Sequence, residues 1–137
     1  MQKFNPECVI FAFVKASGKP QKYSFGVAIT NSRGDMQVGF SRFLGICDRV
    51  EAELRSIKLG LEQAARLKCE KIEIRVDKDY QISFLQKHRS APGKEGVKSL
   101  YIQVQDALVQ FRLHRLLQIP REQMVEAMKL AEQAQEG

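Results

Sequence analysis

The side chains able to do chemistry in this sequence fall into three groups: cations gathered on loops, three cysteines, and two acids at the ends of regular segments. The loop KASGKPQK carries Lys15, Ser17, Lys19 and Lys22, and the Pro- and Gly-bearing loop over 86–96 carries Lys87, His88, Arg89 and Lys94. Cations and hydroxyls on loops can contact phosphate without a metal. The surplus of charge is uneven in the same way. Residues 1–24 hold four Lys against Glu7, and 87–121 hold seven Lys/Arg against Glu95 and Asp106, whereas 122–137 hold four Glu and one Lys. Cys8, Cys47 and Cys69 lack C-x-x-C spacing, and only two histidines accompany them. That pattern argues against a zinc site or a disulfide framework and predicts separate, inert, partly buried thiols in a reducing compartment. A nucleophilic thiol would need a basic neighbour. Glu53 lies in the first turns of a helical pattern, where the dipole favours an acid, and Asp77 ends a strand pattern, where it can cap a following helix.

The elements that must position these groups follow from periodicity. The chain has 137 residues, a net charge of +6, 44% hydrophobic and 28% charged residues, which is one folded domain with room for a core. Disorder and collagen-like repeats are excluded as descriptions of the whole. There is no bilayer-length apolar run and no signal-like N-terminus, so the expectation is a soluble intracellular protein away from membranes, its compartment open. Residues 8–14, 23–30 and 36–44 read as three consecutive antiparallel strands, with Asn31 to Asp35 as a turn around Gly34. Val50, Leu54, Ile57, Leu61, Ala64 and Ala65 recur at helical spacing. Ile72, Ile74 and Val76 alternate along a half-buried strand over 71–77, followed by a short helix over about 79–85. Leu100, Ile102, Val104, Leu108 and Phe111 suggest a helix that leads into a strand around 111–119. Pro120 stops that strand, and 121–135 reads as a final helix with Met124, Met128 and Ala131 on one face. This order predicts an α/β fold with a mixed five-stranded sheet: three antiparallel strands, then alternating helices and strands, with helices on both faces.

Four stretches in that order resemble the ribonuclease H family, particularly its plant and retroelement-derived branch. FGVAITNSRGD is similar to the family's second strand and turn, EAELRSIKLGLEQAARL to the helix opening with A-E-L, IEIRVDKDY to the strand ending in S-D, and IPREQMVEAMKLA to P-R-E-x-N-x-x-A-D-x-L-A. The resemblance spans about residues 9–131.

It implies four carboxylates that hold two Mg²⁺ ions about a scissile phosphate. Mg²⁺ prefers hard oxygen ligands, and two ions stabilise the attacking and leaving oxygens together. On the family pattern, Glu53 and Asp77 keep two of these positions. Val14 stands where F-D-G-A-S has its Asp, Met128 stands for the Asp of A-D, and Met124 replaces the usual Asn. The assisting loop His has only Gln118 near its place, with His114 four residues earlier. Two remaining carboxylates would hold at most one weak Mg²⁺ or Mn²⁺, so no resident cofactor is expected. Asp79 reads as a helix N-cap, and Glu51 points about 200° around the helix from Glu53.

The expectation is therefore a pseudo-nuclease, not an enzyme: a catalytically inactive ribonuclease H-like domain that binds RNA or an RNA/DNA hybrid without cleaving it. The resemblance places Lys15, Ser17, Lys19, Lys22, Lys87, Arg89 and Lys94 on the nucleic-acid side, with Lys15 beside the lost metal position as a stand-in cation. Two alternatives stay open. One is a protein-interaction or dimerisation scaffold that uses Val14, Met124 and Met128 as an apolar surface; the other is a nuclease with a rearranged metal site that recruits Asp79 or another acid.

Overall fold

The computed structural model describes residues 4–81 and 95–136. Strand β1 (Cys8–Ser17) pairs antiparallel with β2 (Lys22–Asn31), which pairs antiparallel with β3 (Met36–Gly45). After α1 (Arg49–Arg66), β4 (Lys71–Asp77) lies parallel to β1, and after α2 (Glu95–Leu108), β5 (Leu113–Ile119) lies parallel to β4. The strand order is β3-β2-β1-β4-β5, the five-stranded mixed sheet expected. The continuous apolar run of β1 is explained by its central place: both of its faces are covered.

Helices α1 and α2 cover one face, where Ile10, Val27, Ile29, Leu54, Ile57, Ile72 and Ile74 form the main core. Helix α3 (Val125–Glu136) crosses β1, β2 and β3 on the other face, over Phe13, Met124, Ala127 and Ala131. Glycines set both approaches. A Cβ on Gly60 would meet Ile10 Cγ2 at 2.5 Å, and one on Gly26 would meet the Ala131 backbone nitrogen at 2.6 Å and collide with the Ala127 carbonyl. Neither backbone could come so close with a side chain there.

Several local expectations change. The helix before β5 starts at Glu95 and ends at Leu108, and Ile102, read as part of its apolar face, is exposed. Phe111 is buried in the turn before β5, which begins at Leu113. The last helix is not continuous from Arg121. Extended Pro120 is followed by a single 3-10 turn, Arg121–Gln123, and α3 begins at Val125. The helix read over 79–85 and the loop over 86–96 fall largely outside the described residues; Lys78 and Asp79 form a turn. The largest correction concerns cysteine. Cys8 and Cys69 are joined by a disulfide with their Cα atoms 6.2 Å apart, and only Cys47 stays a thiol. Sixty-one residues separate the pair in sequence, so spacing rules carried no sign that β1 and the turn before β4 would meet. Among the described residues, no helix is long and apolar enough to cross a membrane.

Candidate functional site

The site forms at the ends of β1 and β4. Ala12 is the register partner of Val76, which brings the next residues, Phe13 and Asp77, level with each other on the α3 face. Val14, the position assigned to the lost acid, points the other way and is buried in the core beneath α1. The β1 side chain that faces Asp77 is therefore Phe13. Both residues are apolar, so the shift of one position leaves this strand without a carboxylate at the site.

Asp77 is fully buried. Its Oδ2 accepts a hydrogen bond from Arg121 Nε at 3.2 Å, while Arg121 Nη2 donates to Asp79 Oδ2 at 2.6 Å and the guanidinium lies 5.7 Å from the Phe13 ring centre. The 3-10 turn after Pro120 swings Arg121 back over the end of β4 and makes this possible. Asp77, then Asp79, hold the guanidinium proton more firmly than usual. Asp77 Oδ1 is buried and has no hydrogen-bond partner among the described residues.

Glu53 reaches the same region from the first turns of α1 and is also fully buried. Its Oε2 accepts from Arg49 Nε at 2.9 Å, one helical turn away, and its Oε1 accepts from the Gln81 backbone N–H at 2.7 Å. Burial pushes its carboxyl up to about 7, against the Gln81 N–H and Arg49, with Asp77 adding repulsion. The turn that carries Gln81 is itself braced. Tyr80 Oη and Ser56 Oγ lie 2.9 Å apart, Ser56 Oγ donates to the Glu53 carbonyl at 2.6 Å, and Gln118 Nε2 donates to the carbonyls of Lys78 and Tyr80 at 3.3 and 3.1 Å. Gln118, read as the residue in place of a loop histidine, thus sits in β5 and holds the turn. Burial raises the Tyr80 phenol well above its ordinary value, so it stays protonated.

The other sequence-derived residues are placed as follows. Met124 is buried and Met128 packs partly buried onto the Phe13 cluster, so the apolar exchange of Val14, Met124 and Met128 makes core and not a docking surface. Asp79 serves Arg121, and Glu51 pairs with Arg55 at 3.3 Å on the outer side of α1. Lys15 does not reach the carboxylates: its Nζ lies 3.8 Å from Glu132 and its carbonyl accepts from Gln135, whose Oε1 accepts from Ser17. Among the described residues, the cations at the carboxylates are instead Arg121 on Asp77 and Arg49 on Glu53. Lys19 is exposed on the β1–β2 turn and Lys22 at the first position of β2, and Lys87, His88, Arg89 and Lys94 lie outside the described residues. Sequence reasoning missed Arg49, Arg121 and Phe13. The spacing Arg49 to Glu53 is a helical i, i+4 pair and was open to notice; the return of Arg121 onto β4 was not.

A family model described as reverse transcriptase-like matches residues 13–134, nearly the whole chain, and the chain belongs to that family, with the ribonuclease H fold. Solved structures agree on the fold. The N-terminal RNase H domain of a Mycobacterium tuberculosis protein, solved as a maltose-binding-protein fusion, superposes with a TM-score of 0.82 at 23% identity, over 93% of this chain and 97% of that one. LC11-RNase H1, isolated from compost and solved in complex with an RNA/DNA hybrid, gives 0.80 at 20% identity over 93% and 95%. The foamy viral protease-reverse transcriptase with an RNA/DNA hybrid gives 0.79 at 16% identity over 98% of this chain and 21% of that larger one. No curated protein sequence matches it.

Proposed function

We propose that this ribonuclease H-like domain binds nucleic acid, with an RNA/DNA hybrid as its favoured ligand, and does not cleave it. The observation that carries the proposal is Arg121, which stands on Asp77 and Asp79 and over Phe13 where a hydrolytic site would need carboxylates free to take cations. The donor set does not fit two Mg²⁺ ions. Glu53 and Asp77 are each engaged by an arginine, β1 brings an aromatic ring to their level, and no cluster of three or more His, Cys, Asp or Glu suited to a metal occurs among the described residues. Two-ion hydrolysis needs ligands shared between the ions and held by a preorganised shell. No cleavage step is therefore derived.

Binding needs less. Lys19 on the β1–β2 turn and Lys22 at the start of β2 are exposed, and the chain carries a net charge of +6. The resemblance puts that turn on the hybrid side, and two structural relatives were solved with RNA/DNA hybrids. An A-form duplex is recognised through phosphates and 2′-hydroxyls, contacts that such cations supply. One observation favours a second reading, a residual nuclease: the bare, buried Asp77 Oδ1 leaves one carboxylate oxygen for a cation or water.

One experiment separates the two. Purified protein is incubated with an end-labelled RNA/DNA hybrid in Mg²⁺ or Mn²⁺, and mobility shift is followed beside product formation. The expected result is a retarded hybrid that stays intact. Affinity should fall at least about tenfold between 50 and 200 mM salt, as release of counterions from a few phosphates requires. Cleavage that disappears in Glu53→Gln would overturn the proposal in favour of the residual nuclease. Absence of any salt-sensitive shift would overturn the binding itself.

A further inference from the structure

The two outer strands of the sheet are finished differently. β5 has Arg112 directly before it, His114 and Arg115 within it and Pro120 directly after it. Charges and a missing N–H of this kind keep an edge from pairing. β3 has little such protection. Its sequence MQVGFSRFLG contains Arg42 as the only charge and no proline. Three of the exposed large apolar side chains gather there: Met36 (45% exposed), Phe43 (53%) and, one residue past the strand, Ile46 (67%). Among the described residues, no strand other than β2 pairs with it, and the Ser41 carbonyl accepts from Arg42 Nη1 at 2.9 Å.

We infer that β3 is the contact through which two copies of this chain associate, antiparallel about a two-fold axis at Ser41, so that one sheet continues through both. The occupant is a second copy because the strand complements itself. The β2–β3 register sets Val38, Phe40, Arg42 and Leu44 on the α1 face and Gly39, Ser41 and Phe43 on the α3 face. A two-fold at Ser41 then places Phe43 opposite Gly39 of the second copy, Leu44 opposite Val38 and Arg42 opposite Phe40. Every directly opposed pair shares a face, as antiparallel pairing requires. The ring of Phe43 then meets Met36, whose methyl group lies, with Leu130, over Gly39, an aromatic–thioether contact between two exposed apolar side chains. Arg42 already rests 5.4 Å from the Phe40 ring centre within one chain, so an arginine over an aromatic is a geometry this strand uses. The two copies of Arg42 do not face each other.

The area is adequate. The nine residues that this axis pairs, 37–45, extend about 31 Å, and one side-chain layer above and below makes a strip about 20 Å across, or roughly 600 Å² per protomer, at the lower end of the ~600–1,000 Å² per partner of an ordinary stable interface.

The test is light scattering on the full chain at about 100 µM in high salt without nucleic acid, a concentration that reveals any dimer of micromolar affinity. The expected mass is twice the 15.6 kDa of one chain, and Phe43→Lys, a change at an exposed side chain, should return it to a single chain. In a Cys47→Ser background, Ser41→Cys should give a covalent dimer on mild oxidation, whereas a cysteine at exposed Val109 should not. A single-chain mass for the unsubstituted protein overturns the inference. So does a dimer that survives Phe43→Lys and gives no Ser41→Cys cross-link, because its contact would lie elsewhere. Hybrid binding plays no part in this readout, so the two proposals fail separately.

Discussion

Strand β4 carries two buried acids on one face, Glu73 and Asp77, and they are supplied with cations very differently. Glu73 Oε2 accepts from Arg75 Nε at 2.6 Å and Oε1 from Arg115 Nε at 2.7 Å, with a further contact from Arg115 Nη2. Each guanidinium also lies over a ring, Arg75 at 5.3 Å from Phe11 and Arg115 at 4.6 Å from Phe4. Burial pushes the Glu73 carboxyl up, but the hydrogen bonds and charges of Arg115 and Arg75 outweigh it and hold it below its ordinary value. Four residues on, Asp77 has, among the described residues, one arginine on one oxygen and none on the other. Glu53 beside it has one arginine and one N–H, too little to offset its burial. The fold can thus bury a glutamate with both oxygens satisfied when it serves as an internal ion pair. It has not done so where the resemblance locates the catalytic acids. Under-supplied buried acids are characteristic of sites shaped for a ligand, which on the proposed reading is what these two retain.

This contrast can be tested by stability, and the largest effect should come from Glu53. Its folded-state value of about 7 exceeds the 4.5 of an ordinary glutamate, so the folded protein binds the proton more tightly than the unfolded chain. Stability should therefore fall as pH rises from 4.5 to 7 and level off above, by on the order of 3 kcal/mol. Urea unfolding across that range reads it, and Glu53→Gln should flatten the slope; a slope that persists would assign the effect to another group. Glu73 has the opposite sign. Its lowered value contributes stability above about pH 4.5 that is lost as pH falls through its folded-state pKa.

Next in size is Glu73→Gln at neutral pH, which leaves Arg75 and Arg115 facing a neutral amide. The expected loss is about 2 kcal/mol, less than for a fully buried pair because both guanidiniums are partly exposed. The smallest effect is expected for Asp77→Asn, below about 1 kcal/mol, since one oxygen has no partner to lose and the other can still accept from Arg121. Parallel denaturation midpoints for the two variants check the order. Equal losses would erase the distinction between the two ends of β4.

Much of the architecture was legible without coordinates. The three leading strands and α1 were read to within a few residues at their ends, and 71–77 was read without error. A continuous apolar run, a period of two and a period near 3.6 are local signals that survive tertiary packing. Boundaries suffered where local and tertiary demands differ. Met124 scored as part of a helix from Arg121, but extended Pro120 and a 3-10 turn delay α3 to Val125, and Met124 is buried as the chain enters the helix. Glu53 and Asp77 were singled out from their motifs; both are buried, and the charge of Asp77 is felt at Glu53. Val14, the residue the motif match assigned, lies in the core beneath α1, and Phe13 is the β1 residue on the Asp77 face; a motif match does not report which side of a strand faces a given neighbour.

The sequence by itself determined the order of elements, the apolar faces of β4 and α1, and the resemblance to the ribonuclease H family. Tertiary structure decided which side chains meet. Phe13 faces Asp77 because a strand alternates faces with a period of two, and only the β1–β4 register says which residue of the pair points to α3. Arg121 reaches back 44 residues to Asp77, and Cys8 finds Cys69 across 61, through contacts created when β1, β4 and β5 align. Those meetings depend on packing between segments distant in sequence, and that is why residue types and spacings alone did not disclose them.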